Sequence, residues 1–325
     1  MADLYSWVDS SGYSWSDEPY IQWAILTGTT LNQVWQDADY AYLATSKGLD
    51  IISMELVEKV AYIPWHTGFS TVWASDDIVY LGTNTGVKYL SKSSILEDGS
   101  DPINLIPFLN TYTYFNPTSE NINYIHGYSN KLSIVTTSGM DLVDNTSNGF
   151  KSSTLNSNIH KCFSTAARSV YYTVNGSGTN GIFKINSYLF DWVTPDVSYI
   201  TGDSFLPPVT ITDLFVTLGT ASSGVGDTLF VATSSGVYVF DEDSGQATHY
   251  TNTLAGTSVG IVGIWADVTS SSNSGKMYIV SSGVGAAFSI YDLTSDSLLD
   301  KYTLTEKGSS GQVLLSEDII DIGGN

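Results

Sequence analysis

A single cysteine, Cys162, stands in 325 residues, which excludes any intrachain disulfide. It falls in an apolar run, Ile159 to Phe163, and reads as a small buried hydrophobe rather than a nucleophile. Charge is scarce as well: only 14% of residues are charged, against about 25% in an ordinary globular domain. The cations are scarcer still, with Lys+Arg 12 against Asp+Glu 33 and a formal net charge of −21. That balance excludes nucleic acid as a partner, because phosphate contacts need Lys and Arg. It suits an anionic membrane surface equally badly. No apolar run reaches the length of a membrane span, so no membrane insertion is expected. The start, Met1-Ala2-Asp3-Leu4, has neither the basic nor the apolar region of a secretory signal, and none is expected there. Helical periodicity is nearly missing, and no Gly-x-Ser-x-Gly elbow occurs. His66, His126, His160 and His249 are scattered without metal-ligand spacing.

What is present is a repeat. Tyr42-Leu43-Ala44-Thr45-Ser46-Lys47-Gly48-Leu49 is an apolar run ending in Thr, a tight turn closed by Gly, and a second apolar run. The phrase returns around Gly86, Gly139 and Gly236, and in weaker form around Gly181 and Gly283, a mean spacing of 47 residues. Hydrophobic residues make up 42% of the chain, enough for a sizeable core. A period of roughly 40–50 residues built from short strands predicts four-stranded β-propeller blades. The turn glycine supplies the positive φ that a tight hairpin needs, and the Thr before it can bond the turn backbone.

The whole chain is therefore expected to be one all-β domain. Blades fall at about 33–65, 69–109, 121–156, 158–201, 208–253 and 259–305. In the first, Gln33–Gln36, Tyr40–Ala44, Leu49–Met54 and Lys59–Ile63 read as strands A to D from the axis outward. In the second, Thr71–Ala74 reads as strand A and Asn104–Leu109 as strand D. The tail Val313–Asn325 mirrors Val72–Asn84 and supplies strands A and B of a last blade, while the head (3–27) supplies C and D. Closure by both termini gives seven blades and removes exposed sheet edges. Six blades with a loose N-terminal arm is the alternative. The phrase Asp-x-x-x-x-Tyr-Leu-Ala-Thr-x-x-Gly-Leu, Asp37 to Leu49, resembles the blade repeat of regulator-type and WD40-like propellers. The resemblance covers nearly the whole chain and implies the fold; it implies no activity, because propellers host enzymes, lectins and scaffolds alike. The Trp-Asp and Gly-His pairs of true WD40 repeats are missing.

Sorting loops by blade position separates two chemistries. The C–D loops carry acid: Glu97-Asp98 with Asp101, Asp241-Glu242-Asp243, and Asp292 with Asp296. The D–A loops carry aromatics, and Trp65, His66, Tyr112, Tyr114 and Phe115 form the candidate binding surface, since loop aromatics mark recognition. The bland reading is that these rings fold back over the blade as satellite core. Trp35, Trp73 and His126 stand at matching offsets on strands A and are expected to line an axial channel, as a sugar-stacking ring or as packing between blades. Asp241-x-Asp243-x-Gly245 invites calcium, but the twelfth position of such a loop is Asn252, and turn formation explains the run without a metal.

No catalytic residue and no cofactor is expected. The first functional expectation is a non-enzymatic structural or interaction protein of a virus particle, such as a capsid decoration, tail or fibre-associated component, whose partners are other subunits of an assembly. Its basis is a surface built from Ser, Thr, Asn and Gly, like that of proteins working outside cells, joined to a start without an export signal. The location expected is the virion or an extracellular surface. The alternative is a carbohydrate-binding lectin or adhesin, and behind it a polysaccharide hydrolase or lyase on the same scaffold.

Overall fold

The computed structural model describes residues 4–8, 31–56, 58–96, 102–112, 121–128, 131–144, 149–153, 159–165, 170–175, 181–185, 197–199, 210–217, 227–241, 245–251, 261–268, 275–281, 287–293, 295 and 297–307. Its strands are β1 (Leu4–Val8), β2 (Leu31–Gln36), β3 (Tyr40–Thr45), β4 (Gly48–Ser53), β5 (Glu58–Pro64), β6 (Thr71–Ala74), β7 (Ile78–Thr83), β8 (Gly86–Ser91), β9 (Ile103–Asn104) and β10 (Asn110–Thr111). They continue with β11 (Ile122–Tyr128), β12 (Lys131–Thr136), β13 (Met140–Asp144), β14 (Gly149–Ser153), β15 (Ile159–Ser164), β16 (Val170–Val174), β17 (Gly181–Ile185) and β18 (Val197–Tyr199). The last are β19 (Ile211–Thr217), β20 (Thr228–Thr233), β21 (Gly236–Asp241), β22 (Gln246–Thr251), β23 (Ile261–Val268), β24 (Gly275–Ser281), β25 (Ala287–Asp292) and β26 (Ser297–Lys307).

The chain is all-β and divides into small sheets built mainly from sequential strands, with β9 added in parallel to β5 and β1 added beside β26. Two compact units result. Residues 27–54 and 59–211 hold the sheets β2-β3-β4-β5-β9, β6-β7-β8-β10, β11-β12-β13-β14 and β15-β16-β17-β18. Residues 1–26, 55–58 and 212–324 hold β19-β20-β21-β22 and β23-β24-β25-β26-β1. Every residue of β4 and of β20 is buried, so these strands are covered on both faces. On one face the cover is the next sheet. One core joins Trp35, Tyr42 and Ile51 of the first sheet to Val72 and Tyr80 of the second and Ile125 of the third. Another joins Val135 and Leu142 of the third to Val170 and Tyr172 of the fourth. In the second unit Phe230 and Val237 pack against Ile264 and Ile279.

The repeated Thr-x-x-Gly phrase makes the same turn each time. Thr45, Thr83 and Thr233 donate through Oγ1 to the carbonyls of Gly48, Gly86 and Gly236 at 2.9, 2.7 and 2.7 Å. The same hydroxyls accept from the backbone N–H of Lys47, Thr85 and Ser235. Gly48 and Gly86 have φ of 156° and 116°, which side chains rarely adopt. Their surroundings differ. A Cβ on Gly48 would run into the Ile63 carbonyl, whereas one on Gly86 meets nothing within 4 Å. Gly86→Ala is therefore expected to cost about 1 kcal/mol from backbone strain alone, and Gly48→Ala about 2–3 kcal/mol because a fixed backbone atom must also yield. Urea midpoints of the two variants check this; equal losses would mean that the Ile63 contact is relieved freely.

Two strands fall elsewhere than the sequence suggested. The fourth strand of the second sheet is not Asn104–Leu109. Ile103–Asn104 pairs in parallel with β5 of the first sheet, Ile106–Phe108 forms a 3-10 turn around Pro107, and Asn110–Thr111 takes the fourth place beside β8. Leu4–Val8 was expected as the third strand of a blade shared with the tail. It pairs instead with β26, Leu4 opposite Lys307 through Val8 opposite Thr303. An outer strand offers a free row of N–H and C=O groups, and β1 occupies that edge. The tail after Lys307 lies outside the described residues.

Candidate functional site

The first strand of each sheet carries one motif: an apolar residue followed by an aromatic or His. It reads Val34-Trp35, Val72-Trp73, Ile125-His126, Cys162-Phe163, Leu214-Phe215 and Ile264-Trp265. Three of these rings were legible in advance; Phe163, Phe215 and Trp265 were not, although the dipeptide itself is the signal that finds them. In the first unit the structure brings four together. Trp35 lies 6.2 Å from Trp73 and 5.5 Å from His126, Trp73 lies 6.5 Å from His126, and His126 lies 4.1 Å from Phe163, between ring centroids. Trp35, Trp73 and His126 are only 4%, 3% and 4% exposed. In the second unit Phe215 and Trp265 meet edge to face at 6.1 Å and are half-buried.

The residues just before each ring fasten one sheet to the next. Gln33 Oε1 accepts from the Thr71 hydroxyl and, at 2.9 Å, from the Val72 N–H. Thr71 Oγ1 in turn accepts from the Ile125 N–H at 3.1 Å, and His126 Nδ1 from the Ser164 N–H at 3.0 Å. In the second unit Asp213 repeats the device, accepting from Ile264 N–H at 2.9 Å. Each acceptor meets a backbone donor that would otherwise be buried and unpaired, at a cost of about 1–3 kcal/mol.

These bonds fix the state of His126. An Nδ1 that accepts carries no proton, so the neutral ring holds its proton on Nε2. Burial alone drives the imidazole pKa down to about 3. The remaining polar side-chain atoms of the cluster are then all donors. Trp35 Nε1, Trp73 Nε1, His126 Nε2 and Gln33 Nε2 are buried and have no hydrogen-bond partner.

The candidate loop surface divides. Trp65 is half-buried: it stacks on Phe69 at 5.8 Å, with Lys88 Nζ 5.7 Å from its ring. Its backbone N–H donates to Lys47 O at 2.7 Å, laying the loop over the first Thr-x-x-Gly turn. His66 beside it is exposed. Tyr112 is core: it is 7% exposed and meets Tyr80 and Tyr89 edge to face at 5.6 and 6.0 Å. Tyr114 and Phe115 lie outside the described residues. Among the described residues of this unit, Met54 and Tyr128 are exposed singly, and three further apolar side chains are exposed on the excursion between β8 and β10. Leu96 is 60%, Ile106 43% and Phe108 47% exposed, while Ile95 and Leu105, adjacent in sequence to Leu96 and Ile106, are buried. The described part after residue 101 is held by hydrogen bonds: Leu105 N–H donates to Tyr62 O at 3.0 Å and Ile106 N–H to Asn104 Oδ1 at 3.0 Å.

The remaining candidates resolve simply. Cys162 is buried, and burial pushes its thiol up, away from nucleophilic character. Asp241 closes a tight turn, its carbonyl accepting from Gly245 N–H at 3.0 Å, with Gly245 at φ 63°. Asp243 lies outside the described residues, among which no group of three His, Cys, Asp or Glu converges. No described helix is long and apolar enough to cross a membrane.

Neither a protein-family model nor a curated protein matches the sequence. Solved structures do. The chain is similar to the extracellular domain of the one component system BT4673 from B. thetaiotaomicron, with a TM-score of 0.62 at 11% identity over 99% of this chain and 37% of that one. It is similar to the extracellular domain of the hybrid two component system BT3049 from the same organism, with a TM-score of 0.53 at 14% identity over 90% of this chain and 36% of that one. Kuenenia stuttgartiensis hydrazine synthase matches with a TM-score of 0.59 at 9% identity, over 88% of this chain and 90% of that one. The chain thus spans a little over a third of the two sensor chains. At these identities the likeness concerns the fold, which is β-propeller-like.

Proposed function

We propose that the six sheets are blades of a β-propeller, and that this propeller is a non-enzymatic interaction protein, a structural subunit of a virus particle. The tail's repeat of the blade pattern, Val313–Asn325 on Val72–Asn84, supports a seventh blade. The observation that carries the interaction reading is the excursion between β8 and β10. It presents Leu96, Ile106 and Phe108 to solvent from a frame anchored by Ile95, Leu105 and the β5–β9 pairing. Apolar side chains presented from a fixed frame favour a protein partner with an apolar recess. The charge-poor surface of Ser, Thr, Asn and Gly supports an assembly working outside cells.

Glycan binding needs a ring face left free for sugar CH groups. Trp65 is stacked on Phe69 with Lys88 against its ring, and Trp35 and Trp73 are enclosed, so this reading is the weaker one.

The test is incorporation into the native particle. Ile106→Ser with Phe108→Ser changes only exposed side chains, so the melting curve is expected to stay unchanged. Association with the particle or its isolated subunits is expected to fall by at least about tenfold, since apolar anchors of an interface contribute roughly 1–2 kcal/mol each. Unchanged incorporation by a normally folded double variant would remove this surface and the reading built on it.

A further inference from the structure

The cluster of rings on the first strands carries more than packing. Gln33, Trp35, Trp73 and His126 come from three successive first strands, β2, β6 and β11, and each leaves a buried N–H without a partner. The chemistry of each atom is fixed by its other bonds. Gln33 Oε1 is held by the Val72 N–H, so its nitrogen is the free end of the amide. His126 Nδ1 is held by the Ser164 N–H, so Nε2 carries the proton. Indole nitrogens only donate. The four groups are therefore donors without exception.

We infer that the Gln33–Trp35–Trp73–His126 cluster is a binding site for a small monovalent anion, of the size and chemistry of a halide.

A lone donor buried without a partner forfeits about 1–3 kcal/mol, and four in one cluster multiply the drive to find an acceptor. Water is a poor answer. It accepts about two hydrogen bonds and must place two hydrogens of its own, and none of these four groups can accept one. A halide only accepts, takes several N–H donors at once, and gains from each as a charge-assisted bond. Trp35, Trp73 and His126 lie in mutual contact, with ring centroids 5.5–6.5 Å apart, so three of the four donors belong to one cluster. The rings bring no negative charge: Trp35, Trp73 and Phe163 are neutral, and His126 is held as the neutral tautomer. The inference goes beyond the interaction surface and stands apart from it, because the cluster is buried and the excursion is not.

The experiment titrates the full chain with sodium bromide against sodium gluconate at constant ionic strength, after dialysis into halide-free buffer. Tryptophan fluorescence and thermal midpoint are read together, and a bromide-soaked crystal is measured for anomalous scattering. A saturable fluorescence change, a rise in midpoint with bromide alone, and a bromide peak within hydrogen-bond distance of Trp73 Nε1 are expected. Trp73→Phe keeps an aromatic ring and deletes one donor; it is expected to weaken bromide at least about tenfold. Trp35→Phe is the second single-donor deletion, should the first fail to fold, with the same expected loss. No saturable response, an anomalous map empty at the rings, or a response unaltered in the folded donor-deletion variant would each overturn the inference. The failure of particle incorporation would leave this result untouched, since no residue is shared.

Discussion

Lys59→Ala is expected to lower the stability of the first unit by about 3–5 kcal/mol, the range for removing one partner of a buried ion pair. Lys59 Nζ stands 2.5 Å from Asp50 Oδ1, and the two side chains are 13% and 1% exposed. Asp50 lies on β4, a strand covered on both faces, opposite Leu43 of β3. Lys59 reaches it from β5, the next strand outward, with its ammonium 5.3 Å from the Tyr62 ring. Truncating the lysine removes the cation that faces a carboxylate only 1% exposed. The loss is read as a shift in the urea midpoint followed by tryptophan fluorescence, because Trp35 and Trp73 report on the same unit. The double variant Asp50→Asn with Lys59→Met removes both charges and is expected to recover most of the loss, as apolar replacement of buried pairs is often neutral. A single-variant loss under about 1 kcal/mol would mean that solvent screens the pair as it does at a surface.

The strands were legible wherever a local pattern specifies them. Thr-x-x-Gly fixes a hairpin through one hydroxyl and one positive φ, and both are properties of four consecutive residues. The predicted edges of β3, β4 and β6 accordingly fall within a residue or two of those observed. The pattern fails where a strand is defined by its partner. Ile103–Asn104 and Leu4–Val8 are short extended pieces whose place depends on which sheet edge is open, and no local residue records that. Pro107, lacking an N–H, is the local sign that Asn104–Leu109 could not run as one strand.

The site was half legible for the same reason. Trp35, Trp73 and His126 share an offset along the chain, and the structure places them in mutual contact. The bonds that set their chemistry cross between sheets and leave a fainter mark: a polar pair before the ring, as in Asn32-Gln33, Ser70-Thr71 and Thr212-Asp213. In each pair the first side chain donates to a carbonyl at or just before the first strand of the next sheet, those of Phe69, Ile122 and Ile261. The second accepts from that sheet's N–H groups. Tyr112 shows the opposite case. Its setting in a polar, aromatic loop suggested a contact surface, but two tyrosines of the neighbouring strands bury it.

Because the bonds between sheets pass through His126, the protein is expected to lose stability in acid before its carboxylates titrate. The imidazole is driven by burial to a pKa of about 3 in the folded chain, against an ordinary 6.5 when unfolded. A group whose folded pKa is depressed contributes stability that is complete above the unfolded value and lost as pH falls toward the folded one. Between pH 6.5 and about 3 the unfolded chain takes up a proton that the folded chain refuses. The slope approaches about 1.4 kcal/mol per pH unit, and the full window is worth up to about 4–5 kcal/mol. Protonating the folded ring at Nδ1, its only free nitrogen lone pair, would both place a charge among Trp35, Trp73 and Phe163 and break the bond from the Ser164 N–H. The measurement is the urea midpoint of the first unit from pH 7 to pH 4.5, where few carboxylates have begun to protonate. His126→Asn keeps an acceptor for Ser164 and cannot titrate, so its profile is expected to be flatter than wild type by one proton, whatever its absolute stability. Parallel profiles for the two proteins would show that His126 charges freely in the folded state, and with it would fall the assignment of its Nε2 as a neutral donor.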